Sequence, residues 1–154
     1  MRNSDLTNDT VEVFNWLESD LGYAKKVSRF FDYNIAKKIT YKRGNITIFL
    51  VCDNRENMLY YEIFVSIQGR NICIKEPKSP WESSESSLFS EGYQNVEYES
   101  IFDYTKDVFD KKQFQQLTNE AELQKKKRGG RVKYVEVFSQ LIKAALTAIE
   151  VRLK

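Results

Sequence analysis

Between residues 39 and 75 apolar and polar positions alternate with the period of two that a half-buried strand requires. Ile39 to Arg43 leads into Gly44-Asn45, two residues that tolerate positive φ and so mark a tight hairpin. In the next run Ile46, Ile48, Leu50 and Cys52 share one face, and Thr47, Phe49 and Val51 the other. Both faces are largely apolar, which places this strand centrally with cover on both sides. Asp53 to Asn57 is a loop built of turn formers. Met58 to Gln68 then sets Leu59, Tyr61, Ile63, Val65 and Ile67 on one side. Its other side, Tyr60, Glu62, Phe64, Ser66 and Gln68, is mixed and half-exposed in character. Gly69-Arg70 turns the chain into Asn71 to Lys75, and Pro77 and Pro80 end the sheet because proline cannot donate to a ladder. The pattern predicts a four-stranded antiparallel meander.

Helical periodicity lies on either side of it. Val13, Phe14, Leu17 and Leu21 predict a helix over about residues 10–20, with Asp9 or Thr10 as its cap and Gly22 as its stop. Val27, Phe30 and Phe31 fit a short helix between Tyr23 and Tyr33. After the meander, residues 76–99 read as a long surface loop, rich in serine and glutamate, with Trp81, Leu88 and Phe89 as anchors. A helical region resumes at a capping-box-like Ser100 and Asp103, with a break near Asp110 or Thr118 and a stop at Gly129-Gly130. In the last helix, Val132 to Leu153, Lys133, Glu136, Gln140, Lys143, Thr147 and Glu150 draw one narrow polar stripe. The apolar arc filling the rest of that helix is about twice the ~100° of a helix resting on one surface. It needs two covers: the sheet, and either another helix or a second subunit, so a homodimer through this helix is one expectation. The fold class is α+β: an N-terminal helix, the four-stranded meander (39–75), a surface loop (76–99) and C-terminal helices packed on the sheet (100–153), in a single domain over 1–154.

Composition narrows the chemistry. The 154 residues contain no histidine, which excludes a Ser-His-Asp triad, a Cys-His dyad and every histidine-containing zinc site. A general base would have to be Asp, Glu, Lys, Tyr or Cys. Asp53 and Glu62 on neighbouring strands are the carboxylate pair of a metal-dependent nuclease in outline, but such a site wants a lysine two residues after the glutamate, where Phe64 stands. The glycines form no phosphate-binding loop. No catalytic residue, metal or cofactor is expected, and the chain reads as a non-enzyme. Cys52 and Cys73 read as buried free thiols of a reducing cytoplasm, with a cross-strand disulfide as the alternative. Met1 to Thr10 carries no apolar signal core, and no stretch approaches the roughly 18 apolar residues that span a bilayer. The expected location is the cytoplasm.

Charge is sorted along the chain. Residues 1–75 hold 11 basic and 9 acidic side chains, residues 76–122 hold 4 and 11, and residues 123–154 hold 9 and 2. Such asymmetry bears on partners rather than fold. The acidic block offers Trp81, Glu82, Glu85, Glu91, Asp103, Asp107 and Asp110 as a surface for a basic protein, the last three sharing one helical face. The ordinary reading of those aspartates is a wet helix face with Lys106 and Lys111 as exposed ion pairs. The basic block gathers Lys125, Lys126, Lys127, Arg128, Arg131 and Lys133, a set that could clamp phosphates and make binding salt-dependent. Its ordinary reading is a helix C-terminus complemented by cations.

A family resemblance rests on Trp16-Leu17-Glu18, Leu21-Gly22-Tyr23, and the strand motifs Ile39-Thr40-Tyr41, Ile46-Thr47-Ile48 and Tyr61-Glu62-Ile63. Over residues 12–68 the chain resembles a group of small bacterial α+β proteins, some of them predicted immunity proteins of polymorphic or contact-dependent toxin systems. The resemblance implies a non-enzymatic protein-binding module that neutralises a basic toxin domain through an acidic surface. Beside it stand a nucleic-acid-associated accessory protein using residues 125–133 and an oligomeric structural protein.

Overall fold

The computed structural model describes residues 5–30, 33–76 and 95–152. The predicted meander forms, with its first strand starting six residues before the expected Ile39: β2 (Tyr33–Arg43), β3 (Ile46–Asp53), β4 (Met58–Ile67) and β5 (Arg70–Lys75) pair antiparallel in sequence order. The sheet nevertheless has six strands rather than four, in the order β1-β2-β3-β4-β5-β6. The first addition, β1 (Ala24–Phe30), replaces the short helix expected there and pairs antiparallel with β2. Its cations suit an exposed edge, where charged side chains disfavour uncontrolled pairing. The second, β6 (Val96–Ser100), lies at the end of the expected surface loop and runs parallel to β5, from Asn71 opposite Val96 to Lys75 opposite Ser100. The rest of that loop, 77–94, is outside the described residues.

β3 is buried along its whole length, as a central strand should be. At the β4–β5 turn both loop residues, Gln68 (φ 50) and Gly69 (φ 77), adopt the left-handed conformation that matches the twist of a two-residue hairpin. The N-terminal helix starts earlier than expected, because Asp5 accepts from the Asn8 backbone N–H at 2.8 Å and caps α1 (Leu6–Val13). It breaks at Phe14, and α2 (Trp16–Ser19) follows. The capping-box start at Ser100 is not realised. Ser100 ends β6, and α3 (Phe102–Thr105) is one turn long. The break near Asp110 is real: Asp110 caps α4 (Lys111–Lys126) in a reciprocal capping box with Gln113.

α5 (Arg131–Arg152) is the central helix. It shares one core with the sheet and packs against α1, α3 and α4. Tyr134 accepts from the Leu59 N–H at 3.0 Å and Trp16 Nε1 donates to Ser139 at 2.8 Å, tying it to the sheet and to α2. Lys133, Glu136, Gln140, Lys143 and Thr147 are exposed, along the stripe the sequence drew. The two covers that its wide apolar arc requires both come from this chain, so the arc gives no reason for a second subunit.

Ile39, Ile48, Leu50, Ile63 and Ile74, all at 0 % exposure, lead the core between the helices and one sheet face. The opposite face carries a smaller cluster: Ala36, Phe49, Val51, Phe64 and Cys73, with Tyr60, Val96 and Tyr98 packed on it. Cys52 lies on the helix face and Cys73 on the other; both are buried free thiols, so the disulfide alternative fails on geometry. Among the described residues no helix is long and apolar enough to cross a membrane.

Candidate interaction surfaces

α4 and α5 form an antiparallel hairpin, with the basic candidates at its turn and Asp103, Asp107 and Asp110 of the acidic ones at its other end. At ~1.5 Å per residue, the 16 residues of α4 separate Asp110 at its start from Lys126 at its end by about 24 Å. The turn end holds the basic candidates. Lys126, Lys127, Arg128 and Lys133 are exposed and Lys125 is half-buried, with no ion pair to any of the five among the described residues. Arg131 differs: its Nε lies 2.6 Å from the Asp9 carboxylate and fastens α5 to α1. The glycine pair between these cations has a structural cause. A Cβ on Gly130 would sit 1.9 Å from the Gln124 carbonyl oxygen, so the backbone can pass the end of α4 only as glycine. The Arg-Gly-Gly-Arg element is therefore a turn device that displays cations, and its spacing carries no separate chemistry.

The acidic end is differently built. Asp103 lies in α3, Asp107 in the turn after it, and Asp110 caps α4, so they do not share one helical face as expected. All three are exposed, yet Lys106, Lys111 and Lys112 are interspersed with them in the chain and are exposed too. Arg152 donates to the Asp103 carbonyl oxygen at 3.3 Å and stacks on Tyr104 at 4.2 Å. This end mixes charges of both signs, although no ion pair joins these aspartates to those lysines among the described residues. Trp81, Glu82, Glu85 and Glu91, the remainder of the acidic candidate, fall outside the described residues. Among those described, no group of three or more cysteine or carboxylate side chains is placed to hold a metal ion.

A third charged surface was not visible in the block sums. Residues 24–43 hold seven lysines and arginines against the single acid Asp32. The balance over residues 1–75 hides them, because acids at 5, 9, 12, 18 and 20 precede them. Folded, they form the β1–β2 hairpin: Lys25, Lys26 and Arg29 on the edge strand, and Lys37, Lys38, Lys42 and Arg43 on β2. Three are engaged: Lys25 pairs with Glu18 at 3.2 Å, Arg43 with Glu150 at 3.0 Å and with the Leu21 carbonyl at 2.6 Å, and Lys38 lies over the Phe49 ring. A charge count over a twenty-residue window would have found this hairpin.

The nuclease outline dissolves. Asp53 accepts from the Arg55 and Glu56 backbone N–H groups at 3.0 and 3.1 Å, which commits its carboxylate to the β3–β4 turn. It sits opposite Met58, whereas Glu62 sits opposite Phe49, four residues or about 13 Å away along β3. Glu62 is buried beside Cys73 and Lys75 on the outer sheet face. There burial lowers the Lys75 amine, the Glu62 carboxylate pulls it partly back, and the Cys73 thiol is pushed up by burial and then by Glu62. Such a thiol is a poor nucleophile. Compared with known proteins, the chain matches no family model, no curated protein and no solved structure.

Proposed function

We propose that the chain is a non-enzymatic protein-binding module that engages an acidic partner through its basic surface at the α4–α5 turn. One observation carries the reading: Lys125, Lys126, Lys127, Arg128 and Lys133 reach solvent as a cluster of one sign with no carboxylate paired to them among the described residues, whereas the aspartates at the far end of the hairpin are interspersed with lysines. An uncancelled cluster projects a field that accelerates encounter with an oppositely charged surface, and it does so more strongly at low salt.

An immunity-type module that neutralises a basic toxin is the second reading. What favours it is the separation itself, since the length of α4 holds the Asp110 carboxylate about 24 Å from Lys126 at the basic turn. A nucleic-acid-associated role would use the same lysines as the first reading.

Three probes at low and high salt separate these: a glutamate-rich peptide, a lysine-rich peptide and a short DNA duplex. Salt-sensitive binding of the glutamate-rich peptide, lost in the combined Lys125→Ala, Lys126→Ala, Lys127→Ala, Arg128→Ala variant, is the expected result. Preference for the duplex with the same loss would move the assignment to nucleic acid. Preference for the lysine-rich peptide, lost when Asp103, Asp107 and Asp110 become asparagine, would move it to the immunity reading. Asparagine at position 110 keeps the helix cap, so that variant tests charge alone.

A further inference from the structure

β1 is an edge strand whose outer side no described residue pairs. Ala24, Lys25, Lys26, Val27 and Arg29 are exposed, Val27 at 45 %, which a strand or helix lying over them would not allow. The register with β2 sorts its side chains. Lys25, Val27 and Arg29 lie opposite Tyr41, Ile39 and Lys37 and share the helix-side face; Lys26 and Ser28 lie opposite Thr40 and Lys38 on the other. Beside Val27 a groove of about 480 Å³ opens towards α1, with Val11 as apolar wall and Glu12 and Asn15 on its far side.

Cations on an edge ordinarily serve to keep other strands away. The same rule discriminates between occupants. A second copy pairing antiparallel about Val27 would set Lys25 against Arg29 twice, and like charges directly opposite are destabilising. An acidic strand meets the reverse situation at Lys26 and Arg29, and at Lys25 it competes with Glu18, which pairs with that lysine at 3.2 Å. We propose that the outer edge of β1 is a docking site for an extended acidic segment of a partner protein, added to the sheet as a seventh strand.

The geometry specifies the segment. On the helix-side face it presents acid, apolar, acid at alternate positions, with the carboxylates beside Lys25 and Arg29 and the apolar residue beside Val27 at the groove. Glu12 across the groove makes an apolar residue there better than a third acid. Main-chain hydrogen bonds along the edge supply affinity, and the alternate side chains supply selection. This site stands on the strand and does not need the α4–α5 turn to bind anything.

A fluorescent peptide with the alternation Glu-Thr-Val-Thr-Glu, titrated against the intact chain by anisotropy, tests it. Replacing Lys25, Lys26 and Arg29 by glutamate weakens binding about tenfold or more and transfers preference to the lysine-substituted peptide. N-methylation of alternate peptide amides abolishes binding when it falls on the edge facing β1 and spares it on the other edge. The combined alanine variant of residues 125–128 binds this peptide unchanged, so failure of the turn reading and failure of this one are distinguishable. Equal binding by both methylated peptides would reduce the contact to loose ion pairing and overturn the proposal. So would single-stranded oligothymidylate that outcompetes the peptide with the same dependence on Lys25, Lys26 and Arg29, because the occupant would then be a nucleic acid.

Discussion

The two faces of the sheet are both buried, but by different means. On the helix face Ile39, Ile48, Leu50, Ile63 and Ile74 form an aliphatic layer under α1 and α5. On the other face the buried set mixes Phe49, Val51, Phe64 and Cys73 with the charges Glu62 and Lys75, at 1 % and 7 % exposure. Lys38 and Lys75 lie over the Phe49 and Tyr98 rings at 5.4 and 4.8 Å, and Phe49 meets Phe64 edge-on at 5.6 Å. Shape and area hold the first face; the second depends as well on charges that answer one another. The largest expected effect tests the first. Leu50→Ala removes a fully buried side chain from the centre of the aliphatic layer and costs about 4 kcal/mol in urea or thermal unfolding. A loss below about 1 kcal/mol would mean that the layer relaxes around the cavity and is not close-packed.

The outer face should instead be sensitive to charge. One step beyond the Ile63–Ile74 pair, Glu62 and Lys75 come opposite each other on β4 and β5. Lys75→Met keeps much of the side-chain volume but takes the cation from beside a buried carboxylate, at a cost of about 3 kcal/mol. Adding Glu62→Leu should return most of that loss, since a buried charge pair is often replaced by apolar groups with little net change. Strictly additive losses in the double variant would erase the contrast between the faces.

What the sequence made legible follows the same division. The second half of β2, β3 to β5 and the polar stripe of α5 were readable because burial on a defined side imposes a period, and Ile39 to Lys75 and Lys133 to Glu150 carry it cleanly. β1 was not, because an edge strand exposed on both faces is free of that constraint: Ala24-Lys25-Lys26-Val27-Ser28-Arg29 has no alternation to read. β6 was hidden for a second reason. It joins β5 in parallel, and such a partner arrives through a long crossover, so nothing adjacent in the chain announces it. The candidate surfaces divide likewise. The run Lys125 to Arg128 is contiguous and visible as a run, whereas the cations of the β1–β2 hairpin are spread over two strands and become one surface only when paired. The three aspartates were misplaced because their spacing suits a continuous helix, and the chain instead interrupts it to cap α4 with Asp110.

The smallest effect separates the two thiols and is read in alkali. Burial pushes the Cys52 thiol up from its ordinary 9.0 to about 12, with the Thr10 and Thr7 hydroxyls pulling it partly back. Cys73 is also raised by burial, but Glu62 pushes it further and Lys75 opposes. A group held protonated in the fold contributes its full stability below the unfolded-state value and loses it as pH climbs towards the folded-state value. Between pH 9.0 and 10.0 the unfolded chain releases thiol protons that the fold retains, so stability falls there before the buried tyrosines, ordinarily at 10.0, begin to add to the decline. Cys52→Ala should flatten part of that slope whether or not Lys75 is present. Cys73→Ala should flatten a part that grows in the Lys75→Met background, because the opposing cation is gone. Denaturation midpoints at about pH 8, 9 and 10, roughly one unit either side of a thiol's usual value, measure both. A Cys73 contribution indifferent to Lys75 would place the cation too far away to matter, and the outer face would then be held by area alone, like the inner one.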